Sequence, residues 1–187
     1  MTASDHELVR ATLAGDLRAF EQLVGRHRDV VLRVAARIVG EDEAEDVAQD
    51  AFLRAYHRLS RWRGDGPFRT WLLHIAHNSA VDAVAARRID TVPIDGATEE
   101  IVDAADRAPA ARLESTERLR RLDSKLKGLS PQHRTVLVLR DIEGLSYEEI
   151  AAVAEMPLGS VKARLHRARG EFVDALRHNT YDWDLPR

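Results

Sequence analysis

Residues 145–169 read LSYEEIAAVAEMPLGSVKARLHRAR, and this stretch decides the fold of the C-terminal part of the chain. Ser146, followed three residues later by Glu149, forms a capping box that starts a short helix. Pro157 marks a tight turn, and a longer helix begins at about residue 159. A capped short helix, a turn and a second helix in this order predict a helix-turn-helix.

The second of these helices has two unlike faces. An apolar stripe at helical spacing is expected to face the domain core, and it consists of Val161, Leu165, Ala168, Phe172 and Leu176. Between Gly159 and Gly170 there are four Lys or Arg residues and no acid. A basic face near a helix N-terminus suits DNA phosphates, although a solvated amphipathic helix is the alternative. The residues expected to contact duplex DNA are Ser160, Lys162, Ala163, Arg164 and Arg167.

The bend of this motif has an unusual residue. Such turns often hold glycine, because a positive φ is needed there, and here the position falls on Glu155. A residue with a Cβ in that conformation costs about 1 kcal/mol, which a packed domain can absorb.

The rest of the chain is also predicted to be helical, and the fold class is all-α. Residues 1–89 form a first small domain of four helices, begun by a capping box at Ser4 and Glu7 and interrupted by the loop 60–67. Residues 90–110 form a flexible linker, and residues 111–187 form the second domain with the helix-turn-helix. Within the second domain a first helix spans about 111–127, and Ser130 followed by Pro131 starts the next.

Charge is distributed unevenly along the chain. The formal net charge is -3, which is unusual for a protein that binds nucleic acid. Between Arg54 and Arg88, however, there are seven arginines against two aspartates, whereas the linker has six acids against Arg107 alone. An acidic linker is equally well explained as a solvated segment, so its role stays open.

Composition excludes several classes of protein. The chain has no cysteine, so disulfides and thiolate metal sites are excluded. It has no apolar run long enough to cross a membrane and no secretion signal, so we expect a cytoplasmic protein without membrane insertion. His74 and His77 lie on one helix, but no metal-binding motif includes them. We expect no metal, no cofactor and no catalytic site.

Three segments together resemble the extracytoplasmic-function (ECF, group IV) sigma factors of the sigma-70 family. The helix-turn-helix quoted above resembles the DNA-binding domain of that family. Residues 44–56, AEDVAQDAFLRAY, look like its polymerase-binding helix. Residues 63–72, RGDGPFRTWL, look like its promoter-melting segment. The resemblance covers nearly the whole chain and has the segments in the right order.

The resemblance implies a function and a set of site residues. It implies binding to the β′ and β subunits of core RNA polymerase, recognition of the -10 and -35 promoter elements, and control by an anti-sigma factor. The polymerase contacts would be Asp46, Gln49, Asp50 and Arg54. The melted -10 strand would contact Arg61, Arg63, Gly64, Asp65, Asn78, Arg87 and Arg88, and an asparagine amide can read a base edge. The helix 159–177 would read the -35 duplex.

A different class of protein explains part of the same pattern. A helix-turn-helix regulator that binds an operator as a dimer accounts for residues 130–178, but not for the loop and helix at residues 60–78. Such a regulator would bind duplex DNA tightly without polymerase.

Overall fold

The computed structural model of the protein describes residues 3–90 and 121–177, and the side chains within 3–87 and 121–177. Every regular element of these residues is helical, so the all-α prediction is confirmed. The linker 90–110 and the beginning of the helix expected at 111–127 lie almost entirely outside the described residues. No helix in the described ranges is long and apolar enough to cross a membrane.

The first domain consists of four helices: α1 Asp5–Leu13, α2 Leu17–Val39, α3 Glu41–Arg58 and α4 Phe68–Asp90. Ser4 forms the expected capping box with Glu7, and Asp16 caps α2 by accepting from the Arg18 amide. Gly40 separates α2 from α3 at φ 104°, a conformation that glycine adopts without strain. Helices α2, α3 and α4 pack on one another around a core of small and branched apolar side chains.

The second domain consists of α5 (residues 121–127), α6 Pro131–Leu137, α7 Tyr147–Val153 and α8 Leu158–Arg177. Ser130 caps α6, with Pro131 in its first turn. A π-helical segment, Val138–Ile142, extends α6. Four residues of the predicted apolar stripe on α8 are buried (Val161, Leu165, Ala168 and Leu176), and Phe172 packs against the core.

The two domains pack against each other. Helix α2 contacts α6, and α4 contacts α7. Arg134 of α6 is buried, and its guanidinium donates to the carbonyls of Arg37 and Ile38 at the end of α2 and to those of Lys127 and Leu129 in its own domain. A cleft of about 660 Å³ remains between the domains, with His77 on one wall and Arg164 on the other.

Candidate nucleic-acid interface

The helix-turn-helix has the predicted caps and turn. The Ser146 hydroxyl accepts from the Glu149 amide at 3.1 Å, and the Glu149 carboxylate accepts from the Ser146 amide at 2.8 Å. These bonds hold the pKa of Glu149 below its usual value. Glu155 has φ 48°, so the strained residue expected at the bend is where the sequence indicated. The capping box thus starts α7 where the sequence predicts, and the buried apolar stripe of α8 holds that helix in the domain core.

The face of α8 expected to meet duplex DNA is mostly exposed. Ser160, Lys162, Ala163 and Arg167 are all exposed to solvent. Lys162 and Arg140 both lie over the ring of Tyr147, with the Lys162 ammonium 6.0 Å from its centre. Stacked cations on one aromatic ring keep positive charge close to the start of α8.

Arg164 differs from its neighbours on α8. Its side chain is half-buried and lines the cleft between the domains, opposite α4. The basic face of α8 is therefore less open to solvent at Arg164 than at its neighbours, and the role of Arg164 in DNA binding stays a prediction. Local sequence patterns do not predict this position, since the residues across the cleft come from the other domain.

The loop 60–67 is attached to α1. The ring of Trp62 lies 4.5 Å from the ring of His6 and 5.5 Å from that of buried Phe68. Gly64 has φ 80°, and a Cβ there would lie 2.7 Å from the His6 ring. Arg61, Arg63 and Asp65 are exposed around it. The aromatic contacts thus hold a short loop whose charged side chains point to solvent.

Gly64→Ala is expected to lower the free energy of unfolding by about 1 kcal/mol, because a Cβ is disfavoured at positive φ. It also displaces the His6 ring from Trp62. Thermal unfolding measures the first effect and Trp62 fluorescence the second. Gly66→Ala is the control, since Gly66 has open space for a Cβ and no positive φ; equal effects of the two changes would contradict this role of Gly64.

Helix α4 holds the predicted base-reading residue. Asn78 is half-buried, and its Nδ2 lies 3.0 Å from Nε2 of His74, one turn earlier. Arg87 is exposed and pairs with Glu43 of α3 at 2.7 Å. Arg88 lies in α4, but its side chain is outside those that the structure describes. Asn78 and the loop 60–67 therefore belong to one helical domain. Helix α4 begins directly after the loop and carries Asn78.

The predicted polymerase-binding residues lie along α3. Asp46 and Gln49 are exposed. Arg54 pairs with Asp50 at 2.7 Å and with Asp82 of α4 at 2.8 Å, and these bonds raise its pKa. Arg54 thus joins α3 to α4 through Asp82, and Asp50 holds the Arg54 guanidinium from within α3. Among the described residues no cluster of His, Asp and Glu could hold a metal ion.

Sequence reasoning missed an apolar band next to these residues. Leu53 and Tyr56 are exposed on α3, and Leu17 is exposed on α2. Phe20 of α2 contacts Tyr56 with ring centres 5.0 Å apart. The helical spacing of Leu53 and Tyr56 was visible in the sequence, but the contact of Tyr56 with Phe20 depends on the packing of α2 on α3.

A helix-turn-helix joined in one chain to a helical domain with a basic loop is typical of proteins that bind DNA in transcription. The family model "Sigma-70 region 2" matches residues 23–89, and "Sigma-70, region 4" matches residues 119–171. The chain belongs to the ECF sigma factors of the sigma-70 family.

Relatives match over nearly the whole chain. It is 38% identical to the RNA polymerase sigma-H factor of Pseudomonas aeruginosa, over 92% of this chain and 94% of that protein. It is 35% identical to the ECF RNA polymerase sigma-E factor of Escherichia coli K12, over 91% and 93% of the two chains.

Two solved structures share the fold. CnrH in complex with the cytosolic domain of CnrY has a TM-score of 0.68 and 34% identity, covering 94% of this chain and 99% of that one. The sigma factor RpoE in complex with the anti-sigma factor NepR from Bartonella quintana has a TM-score of 0.64 and 22% identity, covering 86% and 98%.

Proposed function

We propose that this alternative sigma factor binds core RNA polymerase in the cytoplasm and directs promoter-specific initiation without any catalytic chemistry of its own. The observation that carries the proposal is the joint presence, in one chain, of an exposed basic recognition helix and a separate basic loop backed by α4. A regulator that binds an operator without polymerase needs only the recognition helix. The match to sigma factors over more than nine tenths of the chain supports the same conclusion.

The roles proposed for the three parts of the chain follow from the distribution of their charged residues. Residues 1–89 bind polymerase and capture the melted -10 strand, residues 90–110 form the acidic linker, and residues 111–187 read the -35 duplex. Exposed Asp46 and Gln49, with Asp50 and Arg54 beside them, form the polymerase-binding surface on α3. Since Asp46 and Gln49 have no role in the core of the domain, their exposure is consistent with a docking role.

The -10 strand would meet the loop and α4. Extruding a base from the stack costs a few kcal/mol, which contacts in a pocket must offset. Arg61, Arg63, Arg87 and Arg88 would contact the backbone, Gly64 and Asp65 would shape the loop, and Asn78 would read the extruded base. Asn78→Ala is expected to change the preferred -10 base, measured by transcription from templates that vary at each -10 position. An unchanged preference would contradict this role.

Control by an anti-sigma factor is proposed on the likeness to CnrH, which was solved with the cytosolic domain of CnrY. Its identity to this chain is 34%, over nearly the full length of both. The expected result is that a protein that co-purifies with this chain abolishes its promoter-specific transcription when added to the reaction. A co-purified partner that leaves transcription unchanged would contradict this control.

Recognition of the -35 element is tested with a double variant in which Lys162 and Arg164 are both replaced by alanine. Each contact to a base edge or phosphate is worth about 1–3 kcal/mol, so initiation at -35-dependent promoters should fall by at least about tenfold. Binding to core polymerase, measured by fluorescence anisotropy, should be unchanged. Arg177→Ala, at the far end of the same helix, is the control and should leave both quantities unchanged. A parallel loss of polymerase binding would contradict the proposed division between the domains.

A further inference from the structure

Helix α1 reaches the loop 60–67 through the side chain of His6. The His6 ring lies 4.5 Å from the ring of Trp62, with the two planes inclined at 50°. A Cβ on Gly64 would lie 2.7 Å from Cε1 of the same ring, which is closer than real side-chain contacts allow. The backbone of the loop therefore passes directly against His6 at Gly64, where φ is 80°. His6 thus contacts the loop twice, at an aromatic ring and at a glycine.

The carboxylate of Asp5, the residue before His6, fixes α1 on α2. Its Oδ1 accepts from the Arg26 guanidinium, and its Oδ2 lies 3.0 Å from Nε2 of buried His27. The Arg26 guanidinium also donates to the carbonyl of Ala3 at 2.7 Å. These bonds hold the start of α1, and with it the backbone of His6, against α2.

The far end of the loop is connected to the same bonds. His27 contacts Phe68, the first residue of α4, with ring centres 5.5 Å apart. Phe68 in turn contacts Trp62 at 5.5 Å, with the ring planes at 87°, an edge-to-face arrangement that aromatic rings favour. A closed circuit of contacts thus runs from Asp5 through His27, Phe68 and Trp62 back to His6. Both ends of the loop are therefore held by groups that are tied to the start of α1.

The His6 side chain is not needed to attach α1 to the domain. Leu8, Val9 and Thr12 of α1 are buried, and Ser4 caps the helix. His6 itself is exposed, and substitutions at exposed positions usually change stability little. The contact of His6 with the loop is therefore better explained by the shape of the loop than by the packing of α1.

We infer that His6 is a positioning residue for promoter recognition, whose ring holds Trp62 and the backbone at Gly64 so that the loop 60–67 is preformed for the extruded -10 base. The inference rests on the proposed function, which assigns capture of the -10 strand to this loop and Asn78. The match to the region 2 family model begins at residue 23, so His6 lies outside it. A loop ordered before the strand arrives loses less conformational freedom on binding. The contacts that select a base also depend on accurate placement.

Base preference distinguishes a positioning role from a role in stability. Holoenzyme assembled from core polymerase and the full chain is mixed with a pool of random 12-nucleotide single strands, and the bound strands are sequenced. Strands that core polymerase alone retains are subtracted. The enrichment of one base over another is a ratio within the bound strands, so a smaller fraction of folded protein does not change it. His6→Ala is expected to lower the enrichment of the preferred base by at least about threefold, since capture depends on stacking and hydrogen bonds in the pocket.

Two further variants complete the test. His6→Phe keeps a ring beside Trp62 and should restore at least about half of the lost enrichment. Arg10→Ala, at an exposed position one turn further along α1, is the matched control and should leave the enrichment unchanged. Affinity for core polymerase should be the same in all variants.

The possible failures of the inference and of the proposed function are distinguishable. Wild-type enrichment that His6→Ala preserves would overturn the inference alone. A loss that His6→Phe does not restore, or that Arg10→Ala shares, would do the same. A chain that does not bind core polymerase, or a wild-type holoenzyme that enriches no base, would contradict the proposed function and this inference with it.

Discussion

Replacing Arg134 with methionine is expected to lower the free energy of unfolding by about 3 kcal/mol, since the change leaves several buried carbonyls without a donor. Arg134 is 9% exposed and donates to carbonyls at the end of α2 and to the carbonyls of Lys127 and Leu129. Burial lowers its pKa, yet a guanidinium stays charged in proteins. Its loss therefore affects both the second domain and the contact between the domains.

Urea unfolding followed by circular dichroism measures this effect, and the melting temperature should fall by about 6–10 °C. Arg169→Met is the matched control, because Arg169 pairs with Asp141 at the surface, 2.5 Å apart. Exposed pairs contribute at most about 1 kcal/mol. Equal losses in the two variants would contradict the structural role of Arg134.

The second large effect is a loss of stability in mild acid caused by His77. Burial lowers the pKa of His77 from 6.5 to about 4, with the nearby His74 adding to the shift and Glu155 opposing it. Its Nδ1 is buried without a partner among the described residues. Arg164 lines the same cleft. A protonated His77 therefore has no acceptor at this nitrogen.

The direction of the effect follows from the two pKa values. Because the pKa of His77 is lower in the folded chain, the unfolded chain takes up the proton first. The stability is fully present above about pH 6.5 and is lost as the pH falls towards 4, by up to about 3 kcal/mol. Burial also lowers the pKa of His27, which adds a loss of the same sign.

His77→Leu should flatten this dependence while changing stability at pH 7.5 by less than about 1.5 kcal/mol. Urea midpoints between pH 7.5 and 4.5 give the measurement. His166→Leu, at an exposed position of α8, should keep the full dependence. A wild-type chain whose midpoint is constant over this range would contradict the assignment to His77.

Much of the fold was predictable because it depends on local chemistry. The capping boxes at Ser4 and Ser146 satisfy amide groups within three residues of sequence, so their pattern alone identifies them. The apolar stripe of α8 and the strained Glu155 are local as well. The π-helical segment Val138–Ile142 was not predictable, because nothing in its spacing distinguishes it from a continuation of α6.

The contacts between the domains could not be read from the sequence. Arg33 and Glu143 are 110 residues apart, and His74 and Glu155 are 81 apart. Each of these side chains, taken alone, is a charged residue of an ordinary solvated helix or turn. The position of Arg164 in the cleft between the domains also depends on contacts that no local pattern shows. Burial of charged groups depends on which surfaces meet, and that depends on the whole of both domains.

Transcription in vitro shows whether the chain directs initiation by core polymerase. Purified bacterial core polymerase is incubated with genomic fragments, with and without the protein, and the 5′ ends of the transcripts are mapped. We expect discrete new start sites that require the protein and share a -10 and a -35 sequence. No protein-dependent transcripts, together with no binding of the protein to core polymerase, would contradict it and favour a DNA-binding regulator that acts alone.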